Sequence, residues 1–410
     1  MRPDSDNSLA LPTRSGAALI LYPLGHLAVE IYNGMLFIMW PVLTARFGLT
    51  YSLIGLLTML FRGGMTLPQL GFASLVDRHG GRLLAVWGLA WMALGMSLVG
   101  IVPSVALLVI ILTLAPLGSA AFHPAATAHM SRALPRRRGT AVAFLMVGGS
   151  IGMSLGPIVG AWLCERPGIS ASPGLIPIGL AIALLMYWLI PADGQRAGQQ
   201  VANARPVGPI PAPVFLLMVA VIGQAWIESA IGAYLPLLLT ERGVSLGLAS
   251  RVFFAMSAAA CAGLFVGGAL SDRMPRWRVI VLAEAFTVPC YIGAVLLRGQ
   301  GVLVATAGLG FVSALSQPTA VAMGQELMPE RLSLASALTM GISWVIGSLG
   351  AALTGILADH LGMQTALLAN AGLPLLGMGC MLMAWRLGQR QGIAKTDPNW
   401  IGRVCERRAQ

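Results

Sequence analysis

The 410-residue chain is 57% hydrophobic and 10% charged, with a formal charge of +11 and a mean hydropathy of +0.79. Soluble domains carry about a quarter charged residues, and a core of this size cannot hide so much apolar surface, so a soluble protein is excluded. The basic residues form no single patch or stripe, which excludes nucleic acid as the partner of that charge.

Residues 1–16, MRPDSDNSLALPTRSG, form a polar tail without a cleavage-site pattern, and the apolar run after them is too long for a signal-peptide core. A bilayer-spanning helix needs about 20 apolar residues. That template predicts twelve spans, at 17–45, 50–76, 83–102, 104–131, 139–164, 173–191, 213–240, 246–271, 278–298, 301–328, 333–358 and 363–387. The long polar break at 192–212 is a linker. It separates a six-helix bundle over 17–191 from another over 213–387, with a second tail at 388–410. The five cysteines are scattered and form no CxxC, so no disulfide frame or zinc site is expected.

Ionisable groups within a span cost from about 2.5 kcal/mol upward and are functional candidates by default. In span 1, His26, Glu30 and Asn33 stand four and three residues apart, on one helical face. Span 2 carries Arg62. Span 4 contains SAAFHPAATAHM (119–130), where Pro124 removes a helical hydrogen bond beside His123. An imidazole about a dozen residues above the next arginines lies roughly 18 Å into the bilayer at 1.5 Å per residue, near the midplane. Span 7 carries Gln224, Trp226 and Glu228, and span 10 carries Gln317 before Pro318. His123 and His129 are six apart on different faces, so no helical metal pair is expected. Glu284, nearer the end of span 9, is expected to snorkel or pair.

The second half repeats the first. GFASLVDRHGGR (71–82) returns as VGGALSDRMPRWR (266–278), with Asp77 and Asp272 195 residues apart. Pro124 and Pro318, Pro135 and Pro329, and the SLG triplets at 154 and 348 are each 194 apart. Six spans is an even number, so the copies point the same way: a parallel repeat about an axis along the membrane normal.

These features resemble the major facilitator superfamily across essentially the whole chain. Ala73, Leu75, Asp77, Arg78, Gly80 and Arg82 are similar to its GxLaDRxGRR signature, and Gly268, Leu270, Asp272 and Arg273, with Arg276 beyond, form a second copy. The resemblance implies a cytoplasmic gate that latches when the transporter faces outward. Gly152, Gly156, Pro157 and Gly160 fit the later part of the family's antiporter motif, with Ala143 at its first glycine. Small residues at that spacing let helices approach closely. The FHP segment resembles that of the fosmidomycin-resistance branch of exporters, where an acidic residue usually follows; here it is Ala125. The fold implied is an all-α membrane protein of twelve helices in two bundles, with spans 1, 4, 7 and 10 lining a central cavity.

Arginines concentrate in alternate loops. Arg78, Arg82, Arg132, Arg136, Arg137, Arg138, Arg273, Arg276, Arg278 and Arg331 fall on one side, against Arg46, Arg166, Arg242, Arg251 and Arg298 on the other. The positive-inside rule places both termini in the cytoplasm, with the inner membrane as the location. The expected activity is proton-coupled antiport exporting a small organic molecule, through Glu30 with His26 or His123. The partners are that substrate, protons and the lipid bilayer; the chain is expected to be a monomer without cofactor. A proton symporter importing a metabolite uses the same residues. A non-transporting receptor would need a separate output partner, and an enzyme lacks a nucleophile constellation or metal cluster in the sequence.

Overall fold

The computed structural model describes residues 13–134, 137–191 and 210–390. The tails before 13 and after 390, Arg136, and 192–209 of the linker lie outside these residues. Among those described, helices build the whole fold. The first bundle comprises α1 (Thr13–Phe47), α2 (Tyr51–Thr66), α3 (Gln69–His79), α4 (Arg82–Leu98), α5 (Val105–Leu114), α6 (Pro116–Ala133), α7 (Arg138–Glu165) and α8 (Ile176–Leu189). The second comprises α9 (Ala212–Glu241), α10 (Leu246–Arg273), α11 (Arg276–Leu296), α12 (Gln300–Leu327), α13 (Leu332–Ser336), α14 (Ser343–Leu361), α15 (Met363–Ala369) and α16 (Gly372–Arg390).

Eleven stretches among the described residues are long and apolar enough to cross a membrane. The helix expected at 83–102 is shorter, because α4 ends at Leu98. There Gly100 donates its N–H to Ser172 Oγ at 3.2 Å, and the chain turns away. Proline divides two spans that the sequence reads as continuous. Pro68 separates α2 from α3 and Pro116 separates α5 from α6, each lacking the N–H that would continue the helix. A π turn over Ala337–Ile342 joins α13 to α14.

The duplication is visible in the backbone. Gly48 and Gly243, 195 residues apart, have φ of +62° and +79°; Gly168 and Gly362, 194 apart, have +85° and +81°. Only glycine adopts such angles without steric cost, so both copies keep it where a helix ends.

Within the first bundle the most extensive contact joins α1 to α7. Gly152 and Gly156 of α7 face Leu27, Glu30, Ile31 and Gly34 of α1, so close that a Cβ on Gly152 would lie 2.9 Å from Glu30 Cβ and overlap the Leu27 carbonyl. The antiporter-motif glycines, with Pro157 and Gly160, are thus the surface on which α1 rests. In the second bundle Gly347 and Gly350 of α14 receive Ala225 and Trp226 of α9 in the same manner.

The two bundles close against each other on the side away from the linker. Asp359, in the last turn of α14, accepts from the N–H groups of Tyr51 and Ser52 at the start of α2, at 2.9 and 3.0 Å. Its counterpart is Glu165, 194 residues earlier, at the end of α7. Glu165 accepts from the N–H of Gly247 at the start of α10, at 2.8 Å. Each carboxylate from one bundle thus caps a helix N-terminus of the other, where exposed donors and the helix dipole favour an anion. Tyr234 donates its hydroxyl to the Ala351 carbonyl at 2.6 Å and to that of Tyr51 at 2.9 Å, and Tyr51 donates to Glu241 at 2.7 Å. Toward the linker side this contact lapses: Gly63, Gly71 and Gly341 have no neighbour within 4 Å of a Cβ position. The interbundle hydrogen bonds given above all lie on the side away from the linker.

Replacing both Asp359 and Glu165 with alanine removes the paired caps. At about 1–2 kcal/mol per lost cap, amide exchange at Tyr51, Ser52 and Gly247 should accelerate roughly 5- to 30-fold. Unchanged exchange in the double variant would show that the caps do not hold this side shut.

Candidate functional site

Glu30 lies at the centre of the site. Its Oε1 is 3.1 Å from His123 Nε2 and 3.6 Å from His26 Nε2, and the two imidazole nitrogens are 3.2 Å apart. Its Oε2 accepts from Asn33 Nδ2 at 3.2 Å, and that amide also donates to Ser119 Oγ at 3.3 Å. Both rings are held from behind. His26 Nδ1 is 2.7 Å from the Leu145 carbonyl, and His123 Nδ1 is 2.7 Å from the Ser119 carbonyl. A carbonyl oxygen only accepts, so each Nδ1 carries the proton. The Nε2 atoms then point lone pairs at each other and at the carboxylate, an arrangement that is attractive only when a proton lies among them.

The sequence makes this geometry by two devices. The i, i+3, i+4 spacing puts His26, Glu30 and Asn33 on one face of α1, while Gly149 of α7 leaves room for the His26 ring. His123 arrives from α6. The His26 and Glu30 side chains are 5% and 8% exposed while that of His123 is 23% exposed, so His123 is the most accessible of the three. The three ligand-capable atoms all lie within 4.8 Å of one another, close enough to share a proton or a small cation. Spacing within one helix, on which a metal pair was discounted, could not reveal a set assembled across two helices.

The second bundle presents a different surface. Gln317 Nε2 donates to Glu228 Oε1 at 3.4 Å, bringing α12 and α9 together, and both residues are only partly buried. Arg62 of α2 stacks over Phe37 of α1 at 5.6 Å. Two expected cavity residues differ. Trp226 is turned to α14, where its indole donates to Thr354 Oγ1 at 3.1 Å and fills the space left by Gly350. Two residues along a helix is about 200°, so Trp226 cannot share the Glu228 face. A 260 Å³ crevice beside it, near Thr354, His360 and Asn370, is separate from the acidic groups. Gln224 is buried with neither amide atom partnered.

Both aspartates of the repeated motif are exposed. Asp77 falls in the last turn of α3, not at a helix start, and with Arg78 is exposed. Gly80, φ +86°, reverses the chain. Arg82 donates to the carbonyl of Ile190 at 2.9 Å, within its own bundle. Asp272 and Arg273 are exposed, and Arg276 pairs with Glu326 of α12, again within one bundle. Glu284 does not snorkel. It is 2% exposed, its Oε2 has no partner, and its carboxyl abuts Gly377.

Two duplicated helical bundles that meet at one end, with Glu30 and two imidazoles grouped in the first, match a known family. The Major Facilitator Superfamily model matches residues 24–348. The chain belongs to that superfamily. It is a multi-pass membrane transporter for small molecules, not an enzyme. The fosmidomycin resistance protein of Escherichia coli is 27% identical over 367 residues, covering 87% of this chain and 89% of that protein. The 3-(3-hydroxy-phenyl)propionate transporter of Escherichia coli is 28% identical over 344 residues, covering 76% and 81%. Among solved structures, a bacterial homologue of the human lysosomal transporter Spinster superposes with a TM-score of 0.79 at 16% identity, covering 92% of this chain and 97% of that one.

The glycine support for Glu30 is testable. Gly152→Ala should lower the thermal midpoint by the equivalent of about 1–3 kcal/mol, as overpacking does, and reduce transport. Gly268→Ala, with no neighbour within 4 Å of the new Cβ, should be neutral or stabilise by up to about 1 kcal/mol. Equal midpoints for the two variants would refute the close-packing account.

Proposed function

We propose that this transporter is a proton-coupled antiporter that exports a small organic molecule across the inner membrane by alternating access. The observation that carries the reading is the Glu30 carboxylate between two imidazoles, His26 behind it and His123 the more accessible of the two. A proton enters this cluster from one side of the membrane when the crevice faces that side, and leaves to the other after the bundles rock. The linker, both termini and the Asp77 and Asp272 motifs belong to the cytoplasmic side, following the arginine distribution. The helical interfaces at Gly152, Gly156, Pro157 and Gly160 and at Gly347 and Gly350 stay intact during that motion, because each lies inside one bundle. The contacts that must break are the interbundle caps at Asp359 and Glu165.

The driving force suffices. Moving one charge through 100 mV supplies about 2.3 kcal/mol, and each pH unit adds about 1.4 kcal/mol. The resemblance to a resistance protein supports export.

A second reading, uptake by proton symport, is favoured by the charge of Glu228 in the second bundle acting on Arg62 in the first. A proton that neutralised Glu228 would leave the guanidinium free for an anion, so proton and anion would load together.

Cells expressing the wild type or Glu30→Gln should be challenged with fosmidomycin and a panel of organic acids. The wild type should confer resistance to at least one compound, and inverted vesicles should accumulate that compound when their interior is acidified. Glu30→Gln should lose the acid-driven step while retaining substrate exchange at equal pH. Equal resistance from both proteins would remove Glu30 from the mechanism. Accumulation in right-side-out vesicles driven by an inward proton gradient would establish symport instead.

A further inference from the structure

Among the described residues Arg62 is a cation with no hydrogen-bonded or ion-paired partner, although the charge of Glu228 reaches it across the bundles. Its Nε is buried without a hydrogen-bond partner, and among the described residues no carboxylate comes within ion-pair distance of the guanidinium. Burying a charge costs several kcal/mol unless an opposite charge or hydrogen bonds compensate. The structure does hold the guanidinium in place. Phe37 lies beneath it at 5.6 Å, and Phe37 is in turn stacked on Phe253 of α10, with ring centroids 6.3 Å apart and planes 19° apart. On the other side is Gly232 of α9, where a Cβ would come to 3.6 Å from Arg62 Nη2 and 3.0 Å from Phe37 Cε1. A side chain at 232 would crowd Phe37 and reach the guanidinium, so glycine is what lets both lie against α9.

The internal repeat shows how selective this arrangement is. Gly232 stands 195 residues after Phe37, and Met256 stands 194 after Arg62. The duplicated scaffold therefore meets itself here with its chemistry changed on both counts: aromatic against glycine, cation against thioether. One cation, contributed by one bundle, lies beside the backbone of the other.

We infer that the Arg62 guanidinium anchors the acid group of the substrate, and that the substrates of this transporter are small organic acids. This inference rests on the transport reading above but not on its direction. The planar fork of donors suits two oxygens of a carboxylate or a phosphonate equally. Phe37 offers an apolar face to the adjoining carbons. The remainder of the molecule lies toward Glu228, Gln317 and His123, whose polar atoms suit hydroxyl or amide groups. Glu228, one turn from Gly232 on α9, disfavours a second acid group at that end.

The test is binding to the purified full-length transporter in detergent at one fixed pH. The probes are 3-hydroxybenzoate, 3-hydroxybenzamide and phenylphosphonate, read by thermal shift and calorimetry. Hydroxybenzoate or phenylphosphonate should bind, and the stronger of the two identifies the acid type; the amide should bind at least about tenfold more weakly, the loss expected for a charge-assisted hydrogen bond. Arg62→Gln should lose the same factor for the acid while leaving the amide unchanged, and Arg62→Lys should restore part of it. Should Arg62→Gln fold poorly, Gly232→Ala serves, because its methyl group presses on Phe37 and the guanidinium without removing a charge and should weaken the acid selectively. Equal binding of acid and amide, binding of neither acid, or acid affinity unchanged in the variants overturns the inference. Acid-selective binding by a protein whose transport ignores the proton gradient would instead overturn proton coupling and leave this inference standing.

Discussion

The site depends on how closely α1 can lie on α7. Gly148, Gly149, Gly152, Gly156 and Gly160 form a groove one side chain deep, and α1 enters it with backbone against backbone. In lipid there is no hydrophobic force to press helices together, so small residues and dense van der Waals contact set the distance. That distance brings the Leu145 carbonyl to the His26 ring and places Glu30 where an imidazole from α6 can reach it. A groove filled by even one methyl group would move the carboxylate away from both rings.

The duplication provides a nearly symmetric frame and an asymmetric interior. Helix-ending glycines, capping carboxylates and helix–helix grooves recur at offsets of 194 or 195 residues, and the recurring parts determine where the chain turns and how the bundles meet. The residues of the crevice do not recur. His123 corresponds to Gln317, Phe37 to Gly232 and Arg62 to Met256. A rocking motion needs symmetric contacts, because equivalent surfaces must open on one side as they close on the other. Recognition of a substrate without that symmetry needs the walls to differ. The two requirements act on different residues, so they coexist in one fold.

The side on which the bundles meet follows from the physics of helix ends. Where the bundles meet, anionic side chains satisfy the N–H groups that any helix leaves unpaired at its start, and two such caps across one interface hold it without burying a full charge. On the linker side, Asp77, Arg78, Asp272 and Arg273 stand exposed.

The apolar spans, eleven of them long enough to cross a membrane among the described residues, and the repeated turn positions were legible from hydropathy and from constant numerical offsets. Both signals are local, or are carried by turn residues whose backbone requirement is strict. The shared face of His26, Glu30 and Asn33 was legible for the same reason: helical periodicity fixes it before any packing occurs. What the sequence left undetermined concerns direction and distance between helices. Trp226 looked like a companion of Glu228, yet the groove at Gly347 and Gly350 draws its ring toward α14. The span at 83–102 ended early because Ser172, 72 residues away, takes the N–H of Gly100. His123 could be suspected of facing water but not of touching His26, because that contact depends on the tilt of α6 after Pro116. Composition and period thus determined which surfaces are apolar and which residues share a helix face. Only the tertiary structure decided which faces meet, since that choice is made by the shapes of side chains from segments distant in the chain.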